Sequence, residues 1–146
     1  MSARWKVDDW LSAQMKPRRK PMQKEHDIQV RCIQWWQQFI YRIDFKQRFP
    51  GIAPLLIAIP NGGRRDARTG AMLKAEGVVP GAADLQLIIP SRGWHGLFIE
   101  MKTEKGRQSE YQKMFQENVE FWGYRYEVCH GFDEFRAVIE DYLLGI

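Results

Sequence analysis

Two stretches decide the fold of this chain: ADLQLII at residues 83–89 and GLFIEMK at residues 96–102. Both are apolar runs of strand length, and the turn-forming segment PSRGWH separates them. Strands joined by so short a connection pair antiparallel, so the hairpin brings Asp84 and Glu100 to the same end of a sheet. Because side chains alternate along a strand, Glu100 and Lys102 point to one face. We therefore expect two acids and a lysine to converge there.

This predicted cluster has the chemistry of a divalent-metal site. The carboxylates of Asp84 and Glu100 and the backbone carbonyl of Met101 are hard oxygen ligands that suit Mg2+ or Mn2+. Such a metal polarises a phosphodiester and lowers the pKa of a bound water. The ammonium of Lys102 would offset the charge that develops on the phosphate. Taken alone, Glu-x-Lys is a weak motif that also describes an exposed ion pair on a strand.

The remaining sequence alternates between helical and strand patterns. Helices are predicted at residues 24–48, 66–76, 108–122 and 133–144, and further strands at residues 55–59 and 124–129. The continuous apolar run at residues 55–59 favours a central strand buried on both faces, and Asp133 is a candidate N-cap for the last helix. The order α-β-α-β-β-α-β-α predicts an α/β protein with a mixed central sheet flanked by helices.

Length and composition describe one folded domain. The chain has 146 residues, of which 45% are hydrophobic, enough for a real core. No run approaches the roughly 20 apolar residues that cross a membrane, and no apolar signal region follows the N-terminus. Cys32 and Cys129 lack metal-site spacing, so we expect reduced, buried thiols of an intracellular, cytoplasmic protein. A disulfide between them is the less favoured alternative.

Aromatic residues crowd the first predicted helix and the segment after it. They are Trp35, Trp36, Phe39, Tyr41, Phe45 and Phe49. This is more than one helix face can bury, so some could form an interface or be covered by the N-terminal segment. A well-filled core is the alternative that we favour.

The basic charge is concentrated at the N-terminus. Residues 1–24 contain seven basic and two acidic residues, a net charge of +5, whereas the whole chain carries +4. We therefore divide the chain into a basic arm at residues 1–23 and a domain at residues 24–146. A basic arm suits the phosphate backbone of nucleic acid. A solvated leader is an equally good interpretation of the arm by itself.

Three polar residues are candidates for supporting roles at the predicted site. Glu25 borders the apolar face of the first helix and could bind a second metal or orient a metal-bound water. A first-turn glutamate also complements the helix dipole, which is its alternative role. Gln108 and Gln112 lie four residues apart after the Glu-x-Lys strand, where an amide could bind the lysine or a phosphate. For both glutamines, most clearly Gln108, a solvated position is the alternative.

Basic residues near the site are candidates for phosphate contacts. Arg64, Arg65 and Arg68 follow the turn formed by Gly62-Gly63, where the backbone can approach DNA closely and guanidinium groups can hold phosphates. Lys105 and Arg107 flank the start of the helix after the Glu-x-Lys strand and could do the same. A solvated basic patch is the alternative.

Several motifs occur in a characteristic order. They are Glu25 with Gln29, IPNGG at residues 59–63, GVVPGAADL at residues 77–85, FIEMK at residues 98–102, and Gln108-Ser109-x-x-Gln112. Over about residues 24–130, the chain resembles the VRR-NUC domain, the virus-type replication-repair nucleases of the PD-(D/E)xK superfamily. One departure is Ala83, where the family usually has a proline before the metal-binding aspartate. That proline shapes the backbone and binds no metal.

The resemblance implies a restriction-endonuclease-like fold and Mg2+-dependent cleavage of DNA phosphodiesters. It places metal binding on Asp84 and Glu100, catalysis on Lys102, and supporting roles on Glu25 and Gln112.

The resemblance also implies a substrate. Small stand-alone members resemble symmetric homodimers that cut four-way DNA junctions, because a two-fold dimer supplies two opposed active sites. We therefore expect a homodimeric Holliday-junction resolvase acting in recombination, DNA repair or phage DNA processing. The alternatives are a flap or single-strand nuclease of the same fold and a DNA-binding module without catalytic turnover.

Overall fold

The computed structural model of the protein describes residues 23–52, 55–60 and 67–146. The helices in these ranges are α1 (Gln23–Phe39), α2 (Ile43–Arg48), α3 (Ala67–Ala75), α4 (Glu110–Phe121) and α5 (Phe132–Leu144). The strands are β1 (Leu56–Ala58), β2 (Leu85–Leu87), β3 (Leu97–Met101) and β4 (Arg125–Cys129). The predicted basic arm lies outside the described residues except for Gln23.

The four strands form one mixed sheet in the order β1-β2-β3-β4. β2 pairs antiparallel with β1 and with β3, and β3 pairs parallel with β4. Leu85 is opposite Ile99 in the β2–β3 ladder, so Asp84 and Glu100 come next at the same end of the hairpin. This confirms the predicted hairpin and the prediction of a mixed sheet flanked by helices.

Both faces of the sheet are covered by helices. On one face, buried side chains of β2 and β3 pack with residues of α1 and α5, including Cys32, Trp36 and Phe135. On the other face, Phe98 and Tyr126 pack with Phe115 of α4. Glu100 lies two residues after Phe98 and therefore faces α4. The α4 side of the sheet is where the candidate site must form.

The prediction of a central position for the first strand is wrong. In the described sheet β1 lies at an edge and pairs with β2, and Ile57 on β1 is 42% exposed. The central positions belong to β2 and β3, because β4 adds in parallel on the far side of β3. Every residue of β3 is buried.

The predicted first helix is divided into α1 and α2. The amides of Tyr41 and Arg42 donate to the carbonyls of Gln38 and Phe39 at 3.2 and 3.3 Å, three-residue bonds that end α1. Arg42 is extended, with φ −60° and ψ 135°. The turn allows the ring of Phe45 to pack against that of Phe39, with centroids 4.4 Å apart.

This turn also explains the aromatic-rich sequence. Trp36, Phe39 and Phe45 are buried, and Trp35 and Phe49 pack against them. The interpretation of a well-filled core is confirmed for these five residues. Tyr41 is the exception, because 65% of it is exposed.

Other sequence predictions concern helix ends and cysteines. Gly77 and Gly123 adopt positive φ values of 95° and 84° at the ends of α3 and α4, as expected for stop residues. Asp133 is not an N-cap, because α5 begins one residue earlier and Gly131 occupies the cap position. Cys32 and Cys129 are buried, free thiols. Among the described helices, none is both long and apolar enough to span a membrane.

Candidate functional site

Asp84 is held at the end of the β2–β3 hairpin by a backbone contact. It directly precedes β2, and its Oδ2 accepts a hydrogen bond from the amide of Met101 at 2.7 Å. The side chain of Met101 is buried in the core at 1% exposure, so its backbone cannot shift freely. The bond therefore fixes the Asp84 carboxylate beside Glu100.

Glu100 and Lys102 form a buried ion pair on the α4 side of the sheet. Nζ of Lys102 lies 3.0 Å from Oε1 of Glu100, and the two side chains are 10% and 3% exposed. The Lys102 amide donates to the carbonyl of Cys129 at 2.8 Å, just beyond the β3–β4 ladder. The ion pair confirms that the side chains of Glu100 and Lys102 lie on the same face of the sheet. The exposed ion pair that the motif alone also described is excluded.

Gln112 connects the first turn of α4 to this pair. Ser109 caps α4 by accepting a bond from the Gln112 amide at 3.3 Å, and Oε1 of Gln112 accepts from the Ser109 amide at 2.8 Å. The capping box thus orients the side-chain amide of Gln112. Its Nε2 is left to donate to Oε1 of Glu100.

The two carboxyl groups share an unusual electrostatic environment. Burial and then the charge of the nearby Asp84 raise the pKa of Glu100 to about 8, although Lys102 acts in the opposite direction. Burial also raises the pKa of Asp84. The charge of Glu25 raises the pKa of both carboxyls, so the start of α1 lies near the site. A bound cation would favour the ionised form of both carboxyls and so act against these shifts.

The donor set fits a divalent cation. Oε1 of Glu100 accepts hydrogen bonds from Lys102 and Gln112, whereas its Oε2 is buried and receives no N–H donor. Its neighbour is the Asp84 carboxyl, with which Glu100 shares a hydrogen bond when one of the two is protonated. A buried carboxylate oxygen left unpaired is costly unless a ligand binds it. Asp84 and the backbone carbonyl of Met101 offer further oxygens. In the described part of the chain, no three His, Cys, Asp or Glu side chains form a metal-binding group.

Of the five basic residues proposed to contact phosphates, the structure describes three. Lys105 and Arg107 are exposed in the segment between Lys102 and α4, next to the carboxylates in sequence. Arg68 is exposed on α3. Arg64 and Arg65 lie outside the described residues.

Three further residues lie near the site. The sequence analysis gave Tyr126 and Gly81 no role and left Gln108 as a candidate. Tyr126 is 4% exposed, and burial, together with the charges of Glu100 and Asp84, raises its pKa. Nε2 of Gln108 donates to the Tyr126 hydroxyl at 3.4 Å and to Gln116 at 2.9 Å, so Gln108 is not simply solvated. Strand alternation could have found Tyr126, since it shares a face with Phe98 and Glu100.

Gly81 is the third residue. A Cβ at this position would lie 2.5 Å from the Tyr111 carbonyl carbon and 2.8 Å from the Gln112 nitrogen. The loop before Asp84 therefore rests directly on the backbone of α4, at the turn that carries Gln112.

Comparisons with known proteins identify the family and agree with the fold. The family model of the VRR-NUC domain matches residues 23–133, and the chain therefore belongs to the VRR-NUC domain family. A solved structure described as "VRR_NUC domain protein" superposes with a TM-score of 0.66 at 25% sequence identity, covering 82% of this chain and 87% of that chain. No curated protein matches the sequence.

Family membership confirms the resemblance and the fold class. It gives the chain a nuclease-type function, that of a hydrolase acting on DNA. Nucleases of this type generally depend on divalent metal ions. The unpaired oxygen of Glu100 is the feature of this chain that agrees with such dependence.

We predict that Gly81→Ala reduces cleavage activity by more than tenfold. The added methyl group would push the first turn of α4 away from the loop and so separate Gln112 from Glu100. The φ of 75° at this position also strains any residue other than glycine. The measurement is the single-turnover cleavage rate at saturating substrate and metal.

Gly77→Ala is the matched control. Gly77 also has a positive φ, but a Cβ there meets nothing within 4 Å. It should lose stability through strain while keeping most of the cleavage rate. Equal losses of rate in the two variants would show that Gly81 acts through strain alone.

We also predict that Mg2+ binding releases protons. Because Glu100 has a raised pKa of about 8, it retains its proton at lower pH, and the cation must displace it. Affinity should rise with pH from 6 to 8 and level off above, with about one proton released per site at pH 7. Calorimetric titration in buffers of different ionisation enthalpy measures both quantities.

Glu117 on α4 supplies the control, because it is an exposed glutamate. Glu117→Gln should bind Mg2+ and release protons like the wild type, whereas Glu100→Gln should lose both. Affinity that is constant from pH 6 to 8 without proton release would contradict the assignment of Glu100.

Proposed function

We propose that the protein is a Mg2+-dependent or Mn2+-dependent endonuclease that hydrolyses DNA phosphodiester bonds. One observation carries this proposal: Glu100 directs one oxygen to Lys102 and Gln112 and leaves the other buried and unpaired. A purely structural ion pair is more stable when both carboxylate oxygens are satisfied, whereas a metal-binding carboxylate keeps one oxygen available for the cation.

In this proposal Asp84, Glu100 and the carbonyl of Met101 hold the cation. When bound, the cation supplies Lewis-acid chemistry and lowers the pKa of a coordinated water. Burial of the carboxylates strengthens their attraction to a cation, since few water molecules screen them. Glu25 contributes negative charge from the start of α1 and could orient a water at the metal.

Lys102 acts on the substrate. An ammonium has three N–H donors, and one of those on Lys102 faces Glu100 at 3.0 Å. The remaining donors can bind the attacking water or a non-bridging phosphate oxygen. A fixed positive charge stabilises the additional negative charge of the transition state. Gln112 positions this charge indirectly. Its Nε2 donates to the Glu100 carboxylate, and that carboxylate pairs with the Lys102 ammonium.

Basic residues around the site support DNA as the substrate. Lys105 and Arg107 are exposed in the segment that follows Lys102, close in sequence to the proposed catalytic lysine. We propose that they contact phosphates together with Arg64, Arg65 and Arg68. The basic arm at residues 1–23 is proposed to add affinity that depends on salt.

We further propose that the substrate is a branched DNA such as a Holliday junction, cut by a homodimer. Exposed apolar residues near the β1 edge of the sheet support an interface: Ile57 lies on β1, the Ile88 amide donates to the carbonyl of Leu55 just before β1, and each residue is 42% exposed. Two copies related by a two-fold axis would present two active sites to the two strands that a junction requires.

We predict that Lys102→Ala lowers the cleavage rate by at least about 100-fold, the size of effect seen when one transition-state donor is removed. DNA affinity should change little, because Lys102 is almost fully buried. The measurement is cleavage of matched four-way junction, flap, single-strand and duplex DNA in Mg2+ or EDTA. Binding to each substrate is measured in parallel in EDTA.

Lys113→Ala is the control, since Lys113 is an exposed lysine on α4 that pairs with Glu110 at 2.9 Å. It should cleave at the wild-type rate. Symmetric junction nicking by the wild type supports the resolvase proposal, whereas preference for flaps or single strands keeps the site and changes the substrate. Tight binding without any Mg2+-dependent cleavage would contradict the enzyme proposal.

A further inference from the structure

The loop at residues 103–108, between Lys102 and α4, is held by a histidine that has no part in the proposed catalytic site. His130 directly follows β4 and is half-buried. Its ring nitrogen Nε2 lies 3.2 Å from the backbone carbonyl of Gly106. Gly106 stands between Lys105 and Arg107 in the sequence. The histidine therefore contacts the backbone between the two basic side chains of the loop.

The same loop packs against Lys102. The amide of Gly106 donates to the carbonyl of Thr103 at 2.9 Å, so both backbone polar groups of this glycine are bonded. A Cβ at position 106 would lie 3.2 Å from Cβ of Lys102. The carbonyl of Cys129, the residue before His130, accepts from the Lys102 amide at 2.8 Å. The end of β4 thus contacts both the proposed catalytic lysine and the loop beside it.

Glu134 orients the ring of His130 from the first turn of α5. Its Oε2 accepts a hydrogen bond from the His130 amide at 2.7 Å and lies 3.3 Å from ring nitrogen Nδ1. Each ring nitrogen therefore faces an oxygen that can only accept, a carboxylate or a carbonyl. A neutral imidazole can donate to one of them, and an imidazolium can donate to both. We call the contacts that join Glu134, His130 and Gly106 the His130 clasp.

The charges of the loop make the position of its backbone important. Lys105 and Arg107 are exposed, but so is Glu104. With two basic residues and one acidic residue, residues 103–108 carry a net charge of only +1. Attraction to DNA at this loop therefore depends on which side chains reach a phosphate. A loop without an anchor would lose more entropy when DNA binds and would be free to present Glu104 instead.

We propose that His130 and Glu134 are positioning residues, which hold the loop so that Lys105 and Arg107 contact phosphates of the strand bound at Lys102. The inference rests on the proposed function, since it assumes that DNA occupies the site and meets these two cations. It adds that the clasp, and not net charge alone, sets this part of the DNA affinity. The chemical step is separate, because Lys102 has its own contacts with Glu100 and Cys129.

The first experiment opens the clasp and measures DNA affinity. His130→Ala removes the ring but keeps the backbone amide that donates to Glu134. In the full-length protein, the Kd in EDTA for the DNA that the wild type cleaves fastest should rise about fivefold, the scale of one lost hydrogen bond. Single-turnover cleavage at saturating DNA and Mg2+ should stay at the wild-type rate. His130→Gln should recover part of the affinity, because its amide can donate to Gly106.

A double-mutant cycle tests whether the loss of affinity passes through the loop. Lys105→Gln combined with Arg107→Gln should weaken binding and make it less dependent on salt, because phosphate contacts are lost. In that background His130→Ala should have little further effect, since the clasp has no cation left to position. Fully additive losses would show that His130 acts on folding or on another surface.

Glu134→Ala and Asp133→Ala form a matched pair that tests the sign of the effect. Both residues are exposed acids in the first turn of α5, so each substitution removes one negative charge and one favourable interaction with the helix dipole. Net charge alone predicts tighter DNA binding for both variants. The clasp predicts that Glu134→Ala weakens binding about as much as His130→Ala, whereas Asp133→Ala does not weaken it.

Separate outcomes overturn the inference and the proposed function. Unchanged affinity of His130→Ala and Glu134→Ala, with normal cleavage by the wild type, would reject the clasp and keep the nuclease. A slower cleavage rate at saturating DNA with an unchanged Kd would assign His130 to Lys102 and not to the loop. Wild-type affinity after loss of both Lys105 and Arg107 would remove the contacts on which the inference depends. Absence of any DNA binding or Mg2+-dependent cleavage by the wild type would reject the proposed function itself.

Discussion

The arrangement of this molecule depends on one buried contact, the 3.0 Å pair between Lys102 and Glu100. Removing a carboxyl and an ammonium group from water is unfavourable, which is reflected in the raised pKa of Glu100, and a buried pair is a poor source of stability. The pair persists because every neighbouring element supports it. The parallel ladder to β4 anchors the Lys102 backbone, and the capping box of α4 directs Gln112 to Glu100.

This support shows how the fold prepares a site before any ligand arrives. Asp84 is restrained by the Met101 amide, and the loop at Gly81 packs against the turn that carries Gln112. Preorganised groups lose little entropy when a ligand binds. Burial of the unpaired Glu100 oxygen is unfavourable in the absence of a ligand. This oxygen marks where the cation would bind.

Much of this site could be predicted from sequence, because strand alternation and a short hairpin are strictly local constraints. The convergence of Asp84, Glu100 and Lys102 follows from side-chain period and antiparallel pairing alone. The edge position of β1 could not be predicted, since an apolar run of five residues fits an edge or a central strand. Its place depends on where β4 adds to the sheet.

Other details depend on long-range packing. The break between α1 and α2 follows from the packing of Phe45 against Phe39, which periodicity does not reveal. Gln112 and Gln108 are two candidates four residues apart, of which the sequence favours Gln112 without showing what it contacts. The capping box turns it toward Glu100, whereas Gln108 turns toward Gln116 and Tyr126. The roles of Glu25 and the basic residues remain predictions.

The most direct test of the central claim is a crystal structure of the protein soaked with Mn2+, with anomalous data to locate the metal. We predict an anomalous peak within coordination distance of carboxylate oxygens from both Asp84 and Glu100, with the Lys102 ammonium beside it. A peak that touches neither carboxylate, or no peak at a concentration that supports cleavage, would contradict the account.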